Sequence, residues 1–161
     1  MKVEDLMTRN VVSCGPGDPL RRAAQIMWDR DCGCVPVVDA YGCVVGIVTD
    51  RDACMAAYTT GRRLEDINVA EAMSRNVHLS RPGEALEAAE RRMREVQVRR
   101  LPVVDAGQRL VGLLSLIDIA RYGRNAYGHR CAAVVDEGIA QTLAAVGAPR
   151  NEAANARVTS S

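Results

Sequence analysis

The sequence predicts an α/β protein made of two copies of one β-α-β-β-α unit, packed with approximate two-fold symmetry and followed by a C-terminal helix. The first observation is repetition: the segments at 7–11 and 36–40 recur 66 residues later without a gap. The second is that strand-like and helix-like apolar patterns follow the same order in both copies. Repeats of this kind bury their apolar faces against each other. The two copies should therefore enclose a cleft with two related pockets.

The first copy opens with a short apolar run at 11–14 that predicts a strand, ended by Gly15-Pro16-Gly17. Asp18 is expected to be the N-cap of the next helix, and Pro19 its first residue. Apolar residues at helical spacing predict one buried face on that helix. They are Leu20, Ala23, Ala24 and Met27.

Residues 35–38 and 44–48 are continuous β-branched runs joined by a short turn, which predicts a hairpin covered on both faces. A helix should follow from about Asp50. The second copy has the same order, with strands expected at 101–104 and 110–114.

These patterns divide the chain into four parts. We expect the first repeat at 1–57, a linker at 58–68, the second repeat at 69–125, and a helix with a polar tail at 126–161. The C-terminal helix is predicted from an apolar stripe that ends before Gly147 and Pro149. The stripe consists of Val135, Ile139, Leu143 and Val146.

The composition narrows the function classes. Hydrophobic residues make up 48% and charged residues 25% of the 161 residues, with a net charge of +1. A general nucleic-acid binder needs an excess of Lys and Arg on one face. A membrane helix needs ~18 apolar residues in a row, and no run approaches that length. The N-terminus lacks the apolar region of a signal peptide. We therefore expect a cytoplasmic protein that binds neither nucleic acid nor membranes.

Six cysteines and two histidines are the candidate reactive groups. A cytoplasmic chain of this size needs no disulfides, so reduced thiols are expected, although a redox or metal sensor is an alternative. Cys32-Gly33-Cys34 alone is a weak metal motif because structural zinc sites want four ligands. His78 and His129 belong to no nucleophile–base arrangement, so we predict neither a catalytic site nor a metal site. The sensor would use Cys14, Cys32, Cys34 and Cys43.

Each copy carries the pattern Gly-x-x-Thr/Ser-x-x-Asp, at 46–52 and at 112–118. A glycine inside a strand allows a ligand or another backbone to come close. The hydroxyl and the helix N-terminus offer donors to an anion, and the carboxylate can accept ribose hydroxyls. The same pattern is also close to a capping box. The two interpretations can coexist because a hydroxyl has spare lone pairs.

The repeat resembles the cystathionine β-synthase (CBS) domain over about residues 1–125. The resemblance lies in the apolar-Pro-Val-Val-Asp strands at 35–39 and 101–105, each followed by the Gly-x-x-Thr/Ser-x-x-Asp pattern. It implies a tandem module that binds an adenosyl ligand between the repeats: AMP, ADP, ATP or S-adenosylmethionine. The residues implied to hold the ribose are Thr49 with Asp52, and Ser115 with Asp118.

Phosphates need cations, and the copies differ in this respect. In modules similar to this one, basic side chains before the Pro of the second strand reach phosphate, which points to Arg99 and Arg100. Arg51 lies beside Asp52, where the second copy has Ile117. By charge count we therefore expect the first copy's pocket to be the better phosphate site.

We accordingly expect a regulatory ligand sensor that is not an enzyme and requires no cofactor. The resemblance implies a homodimer that signals by conformation to a separate effector protein. Two alternatives stay open: the cysteine-based sensor, and a dimerisation scaffold with vestigial pockets.

Overall fold

The structure, a computed structural model, describes residues 1–127 and 141–145. It confirms the α/β class and shows a long helix, a β-hairpin and a second long helix in each repeat. The elements of the first repeat are a 3-10 helix Val3–Asp5, α1 Leu20–Asp29, β1 Cys34–Val38, β2 Val44–Thr49 and α2 Asp50–Thr60. Those of the second are α3 Val69–Ala72, α4 Leu86–Glu95, β3 Arg100–Val104, β4 Leu110–Ser115 and α5 Leu116–Tyr127.

The two hairpins have the same register, as an internal repeat requires. β1 pairs antiparallel with β2, and Cys34 lies opposite Thr49. β3 pairs with β4 in the same way, and Arg100 lies opposite Ser115. Residues directly opposite in an antiparallel pair are close neighbours. The Thr49 hydroxyl, which ends the first hairpin, therefore has the Cys34 thiol as its neighbour. The Ser115 hydroxyl, which ends the second, has the Arg100 guanidinium.

The predicted strand at 11–14 is wrong. Only Cys14 pairs with the hairpin, through an isolated parallel bridge to Val37. The chain turns at Gly15 immediately afterwards, and Pro16 has no N–H to extend the pairing. The second repeat behaves identically, with a single parallel bridge from Ser80 to β3.

The predicted start of α1 is also wrong by one residue. Pro19 has an extended backbone (φ −65°, ψ 142°) and is the N-cap, so the helix begins at Leu20. The Asp18 carboxylate instead accepts a hydrogen bond of 2.9 Å from the Gly15 N–H, which holds it in the preceding turn. Three of the four residues predicted for the apolar face of α1 are buried: Leu20, Ala23 and Met27. The fourth, Ala24, is half-buried, and Ile26 is the other buried residue of the helix.

The repeats exchange their N-terminal segments. Val3 and Met7 belong to the buried core of the second repeat. The residues 66 positions later, Val69 and Met73, belong to the core of the first. Short antiparallel bridges fix both segments, one of them through Thr8 and β4, with N–H···O distances of 2.9 and 3.0 Å. Separating the repeats would therefore expose both cores.

The described C-terminal residues 141–145 are helical and lie against α4. Arg94 Nη1 donates to Thr142 Oγ1 at 3.1 Å, and Gln97 Nε2 donates to the Ala145 carbonyl at 2.9 Å. Of the predicted apolar stripe, only Leu143 is among the described residues, and it is 53% exposed. The other three positions lie outside them. Within the described ranges, no helix has the length and apolar character needed to cross a membrane.

Candidate functional site

Each hydroxyl and its aspartate form the same set of hydrogen bonds at the start of a helix. Thr49 Oγ1 donates to Asp52 Oδ2 at 2.7 Å, and the Asp52 N–H donates back to Thr49 Oγ1 at 3.2 Å. The corresponding distances for Ser115 and Asp118 are 2.6 and 3.2 Å. These bonds cap α2 and α5. Only Oδ2 of each carboxylate is used among the described residues, so Oδ1 is open to a ligand. The capping and ligand-binding interpretations are therefore compatible.

The glycine of each pattern makes room for the exchanged segment. A Cβ on Gly46 would lie 2.5 Å from Met73 Sδ and 3.2 Å from the Ser74 carbonyl oxygen. A Cβ on Gly112 would lie 2.7 Å from Met7 Sδ and 3.0 Å from the Thr8 carbonyl oxygen. The sequence left open whether a ligand or another backbone comes close here. The structure shows that the close neighbour is the N-terminal segment of the other repeat, through its methionine side chain and the backbone of the next residue.

A cleft of about 520 Å³ lies between the repeats beside Ser115 and Asp118. One wall comes from two segments of the first repeat: residues 8–12, which follow the exchanged N-terminal segment, and residues 30–34, which connect α1 to β1. The other wall comes from the second repeat: Arg100, Leu113, Ser115, Ile117, Asp118 and Arg121. Pockets that hold small ligands have volumes of ~300–1,000 Å³. The cleft is therefore large enough for one such molecule, and both repeats would contact it.

Four arginines line this cleft: Arg9, Arg30, Arg100 and Arg121. None of them forms an ion pair with a carboxylate among the described residues. Among the residues that the structure describes, the carboxylates in the lining are those of Asp31 and Asp118. Unpaired guanidiniums around a concave surface attract anions, and their planar donors match phosphate geometry.

The structure brings together three of the residues singled out in the sequence: Arg100, Ser115 and Asp118. The other four do not line this cleft. Arg51 and Arg99 are exposed, while Thr49 and Asp52 are half-buried at the start of α2. The expected advantage of the first copy's pocket rested on Arg51. The cations of the described cleft come from other segments and lie beside the second copy's box, and the expected advantage of the first copy's pocket stays a prediction.

Sequence reasoning missed Arg9, Arg30 and Arg121. Arg9 lies in the repeated Met-Thr/Ser-Arg-Asn-Val motif, which was a usable signal. The other two have no basic counterpart 66 positions away, where the sequence has Val96 and Met55. They meet only because the repeats pack face to face.

The cysteines divide into buried and accessible groups. Burial raises the pKa of the Cys14 and Cys34 thiols to about 11, so both are protonated at neutral pH. Cys32 is half-buried, and Cys54 is exposed on α2. All five described cysteines are free thiols. Within residues 1–127 and 141–145, no three His, Cys, Asp or Glu side chains gather as a metal site.

The family model for the CBS domain matches residues 3–58 and 69–125. The chain therefore belongs to the CBS domain family. The CBS domain-containing protein YhcV of Bacillus subtilis is 36% identical over 118 residues, which is 73% of this chain and 82% of that protein. A homoserine O-acetyltransferase of Methanococcoides burtonii is 37% identical over 119 residues, 74% of this chain. That match spans only 23% of the acetyltransferase, so the chain corresponds to its CBS part.

Solved structures show the same fold with ligands. The CBS domain pair of protein MJ0100, in complex with 5′-methylthioadenosine and S-adenosyl-L-methionine, superposes with a TM-score of 0.70 at 25% identity. It covers 78% of this chain and 98% of that one. CBSX2 in complex with AMP has a TM-score of 0.68 at 27% identity, covering 78% and 97% of the two chains.

Proposed function

We propose that this chain is a regulatory module that binds an adenosine-containing ligand in the cleft at Ser115 and Asp118. One observation carries the proposal: the open Oδ1 of Asp118 shares a cleft of about 520 Å³ with four arginines that lack ion-pair partners in the described structure. A carboxylate oxygen suits ribose hydroxyls, as in dinucleotide-binding folds. Guanidiniums suit phosphate. The site thus offers complementary groups for two parts of one molecule.

Among adenosyl ligands, the charge of the cleft favours nucleotides. Adenosine is common to the ligands of the two solved relatives, S-adenosyl-L-methionine and 5′-methylthioadenosine in one and AMP in the other. A sulfonium carries a positive charge that four nearby guanidiniums would repel, whereas AMP, ADP and ATP carry phosphates that they would attract. We therefore place phosphate-bearing ligands ahead of S-adenosylmethionine.

Thr49 and Asp52 form a second, related candidate site. Their hydrogen bonds repeat those of Ser115 and Asp118, and the Asp52 Oδ1 is equally open. Arg51 lies beside Asp52 in the first turn of α2, and both Arg51 and Arg99 are exposed cations that could serve a phosphate. The proposal ranks this site second because the described cleft with four arginines lies at the other box.

The proposal assigns this chain a regulatory role without catalysis and without a required cofactor. In the homoserine O-acetyltransferase relative the matching region is 23% of one longer chain, whereas the output of this module would pass to a separate effector protein. Free, buried thiols fit a reducing compartment such as the cytoplasm. Exposed apolar side chains on α2 and α5 support a homodimer: Met55, Tyr58, Ile117 and Tyr122.

Titration calorimetry with ADP tests the site. Asp118→Ala should weaken ADP binding by about 1.5–3 kcal/mol, the scale of a hydrogen bond to a charged group. Asp52→Ala removes the matching cap from the other repeat, so it controls for lost helix stability and should retain the tighter ADP site. Unchanged affinity in a folded Asp118→Ala protein would refute the assignment. Light scattering on the same samples should report twice the 17.4 kDa chain mass.

A further inference from the structure

We infer that the Cys32 thiol is a covalent modification site in the wall of this cleft, and that a small anionic disulfide attached there excludes the adenosine ligand. The inference rests on the proposed function, because the modification would act on the same cleft. Ligand binding in the cleft would then depend on the redox state of small thiols as well as on the nucleotide concentration.

Two cysteines line this cleft. Cys32 and Cys34 both line it, together with Gly33 between them. Cys34 is only 2% exposed, and its thiol makes none of the described hydrogen bonds. Cys32 is half-buried, and its side chain packs at the edge of the first repeat's apolar core. Its thiol donates to the Cys34 carbonyl oxygen at 3.4 Å and to that of Ile26 at 4.0 Å. A thiol is a weak donor, so these bonds leave Cys32 able to react from the wall of the cleft.

The surroundings single out Cys32 within this pair. Thiolates, not thiols, attack disulfides. Burial raises the pKa of Cys34 to about 11, so at neutral pH it is protonated as well as inaccessible. Cys32 is the more accessible of the two. The exposed Cys54 on α2 is not among the residues that line the cleft, so it serves as an internal reference for an ordinary surface thiol.

The charge of the cleft selects the reagent. The four arginines that would attract phosphate would also concentrate a disulfide that carries carboxylates, such as oxidised glutathione. The Cys32 sulfur, as thiolate, attacks one sulfur of that disulfide, and its proton goes to solvent. A new S–S bond forms, the reagent's S–S bond breaks, and one half leaves as a thiolate. Cys32 is oxidised and the departing sulfur is reduced, and a thiol reductant reverses the exchange.

The attached group would compete with the nucleotide for space. A cleft of about 520 Å³ lies within the range of pockets that hold one small ligand, ~300–1,000 Å³, so a group attached to its wall would occupy space that the nucleotide needs. The second repeat has Val98 at the position of Cys32. The modification would therefore act on one of the two related pockets and leave the other unmodified.

The test uses the full chain, two disulfide reagents and ADP. The dianionic reagent is 5,5′-dithiobis(2-nitrobenzoate), the neutral one is 2,2′-dithiodipyridine, and peptide mass spectrometry assigns the labelled cysteine. Relative to Cys54, Cys32 should react faster with the anionic than with the neutral reagent. ADP at ten times its Kd should slow labelling of Cys32 by about tenfold and leave Cys54 unchanged. Labelled protein should bind ADP at least tenfold more weakly until a reductant restores it.

The matched variant is Cys32→Val, which takes the second repeat's residue and should bind ADP equally before and after exposure to the reagent. Cys54→Ser should behave as the wild type. A Cys32 that is not labelled in folded protein, or labelling that leaves ADP affinity unchanged, overturns the inference. If ADP fails to bind the unmodified wild type and Cys32→Val alike, the proposed function and the regulatory part of the inference both fall. The charge preference of labelling then decides the modification site by itself.

Discussion

The two repeats differ in the side chains that lie beneath the turn before their first long helix. In the second repeat this place holds a polar network. Ser80 Oγ donates to Glu84 Oε2 at 2.6 Å, and Arg92 Nη2 donates to Glu84 Oε1 at 2.6 Å. Arg92 Nη1 also donates to the Leu79 carbonyl at 2.7 Å. The network is largely enclosed, with side-chain exposures of 18% for Glu84 and 35% for Arg92.

The same positions in the first repeat are mostly apolar. Cys14 stands in place of the serine and is 3% exposed, and Ile26 stands in place of the arginine and belongs to the core. Asp18 replaces the glutamate and bonds to the Gly15 N–H at 2.9 Å. Its partner Arg22, at 3.5 Å, lies on the solvent side with a side-chain exposure of 58%.

The difference shows which interactions the fold requires beneath this turn. The backbone bonds that dock Cys14 and Ser80 onto their hairpins are equivalent, between 2.9 and 3.2 Å in both repeats. The docked position can hold either a buried thiol or a fully hydrogen-bonded serine, provided that no buried polar group is left unpaired. The fold therefore accepts either the polar network of the second repeat or the mostly apolar packing of the first. The following substitutions test this conclusion.

The largest effect is expected from Arg92→Ile, which puts the first repeat's residue into the second. It removes both arginine hydrogen bonds to the Glu84 carboxylate, which keeps the Ser80 hydroxyl and the Arg81 N–H as its described donors, and it removes the Arg92 bond to the Leu79 carbonyl. The expected cost is about 2–3 kcal/mol in unfolding free energy. Denaturant unfolding measures this. Arg91→Ala is the control, since Arg91 is exposed and makes no ion pair in the described structure, and it should change stability by less than ~0.5 kcal/mol.

The triple variant Ser80→Cys, Glu84→Asp, Arg92→Ile gives the second repeat the first repeat's residues at these three positions. It should recover more than half of the stability lost by Arg92→Ile, because an aspartate at position 84 can accept from the Arg81 N–H as Asp18 accepts from the Gly15 N–H. A triple variant as unstable as the single one would show that the polar network is required in its own repeat.

The next effect concerns the two packing glycines. Gly112→Ala should cost about 1–2 kcal/mol, the scale of overpacking, because its Cβ would meet the Thr8 carbonyl oxygen at 3.0 Å. Gly46→Ala should have a cost of the same size, since its Cβ would meet the Ser74 carbonyl oxygen at 3.2 Å. Gly83→Ala, with nothing within 4 Å of its Cβ, is the control. Thermal unfolding in which Gly112→Ala matched Gly83→Ala would contradict the exchanged-segment packing.

The smallest effect is a pH dependence confined to the second repeat's network. Burial alone would raise the pKa of the Glu84 carboxyl, but hydrogen bonds from Arg92 and Ser80 outweigh it and hold that pKa below its usual range. The stabilisation is therefore complete above the unfolded value of ~4.3 and is lost as the pH falls through the folded pKa. Glu84→Gln should lower stability by about 1 kcal/mol at pH 6. That difference from wild type should shrink toward pH 3, and a constant difference would exclude the linkage.

Much of the fold was readable from the sequence because it follows from local pattern. The 66-residue repeat, the hairpins and the buried face of α1 all came from spacing and side-chain type. The errors were also local: a single bridge at Cys14 cannot be told from a strand by an apolar run, and Pro19 looked like a helix residue. The site was only half readable, since Ser115 and Asp118 lie in a repeated motif whereas Arg30 and Arg121 do not.

The sequence by itself determined that two equal units exist and that each ends a hairpin with a hydroxyl and a carboxylate three residues apart. Those features are set by short-range chemistry: alternation, capping and turn residues. The tertiary structure alone decided which segments cross between the units, and hence that Gly46 and Gly112 face methionines of the other repeat. It also decided that the described cationic cleft lies at Asp118. Both depend on contacts between residues far apart in the chain, whose pairing is fixed by burial of the two cores together.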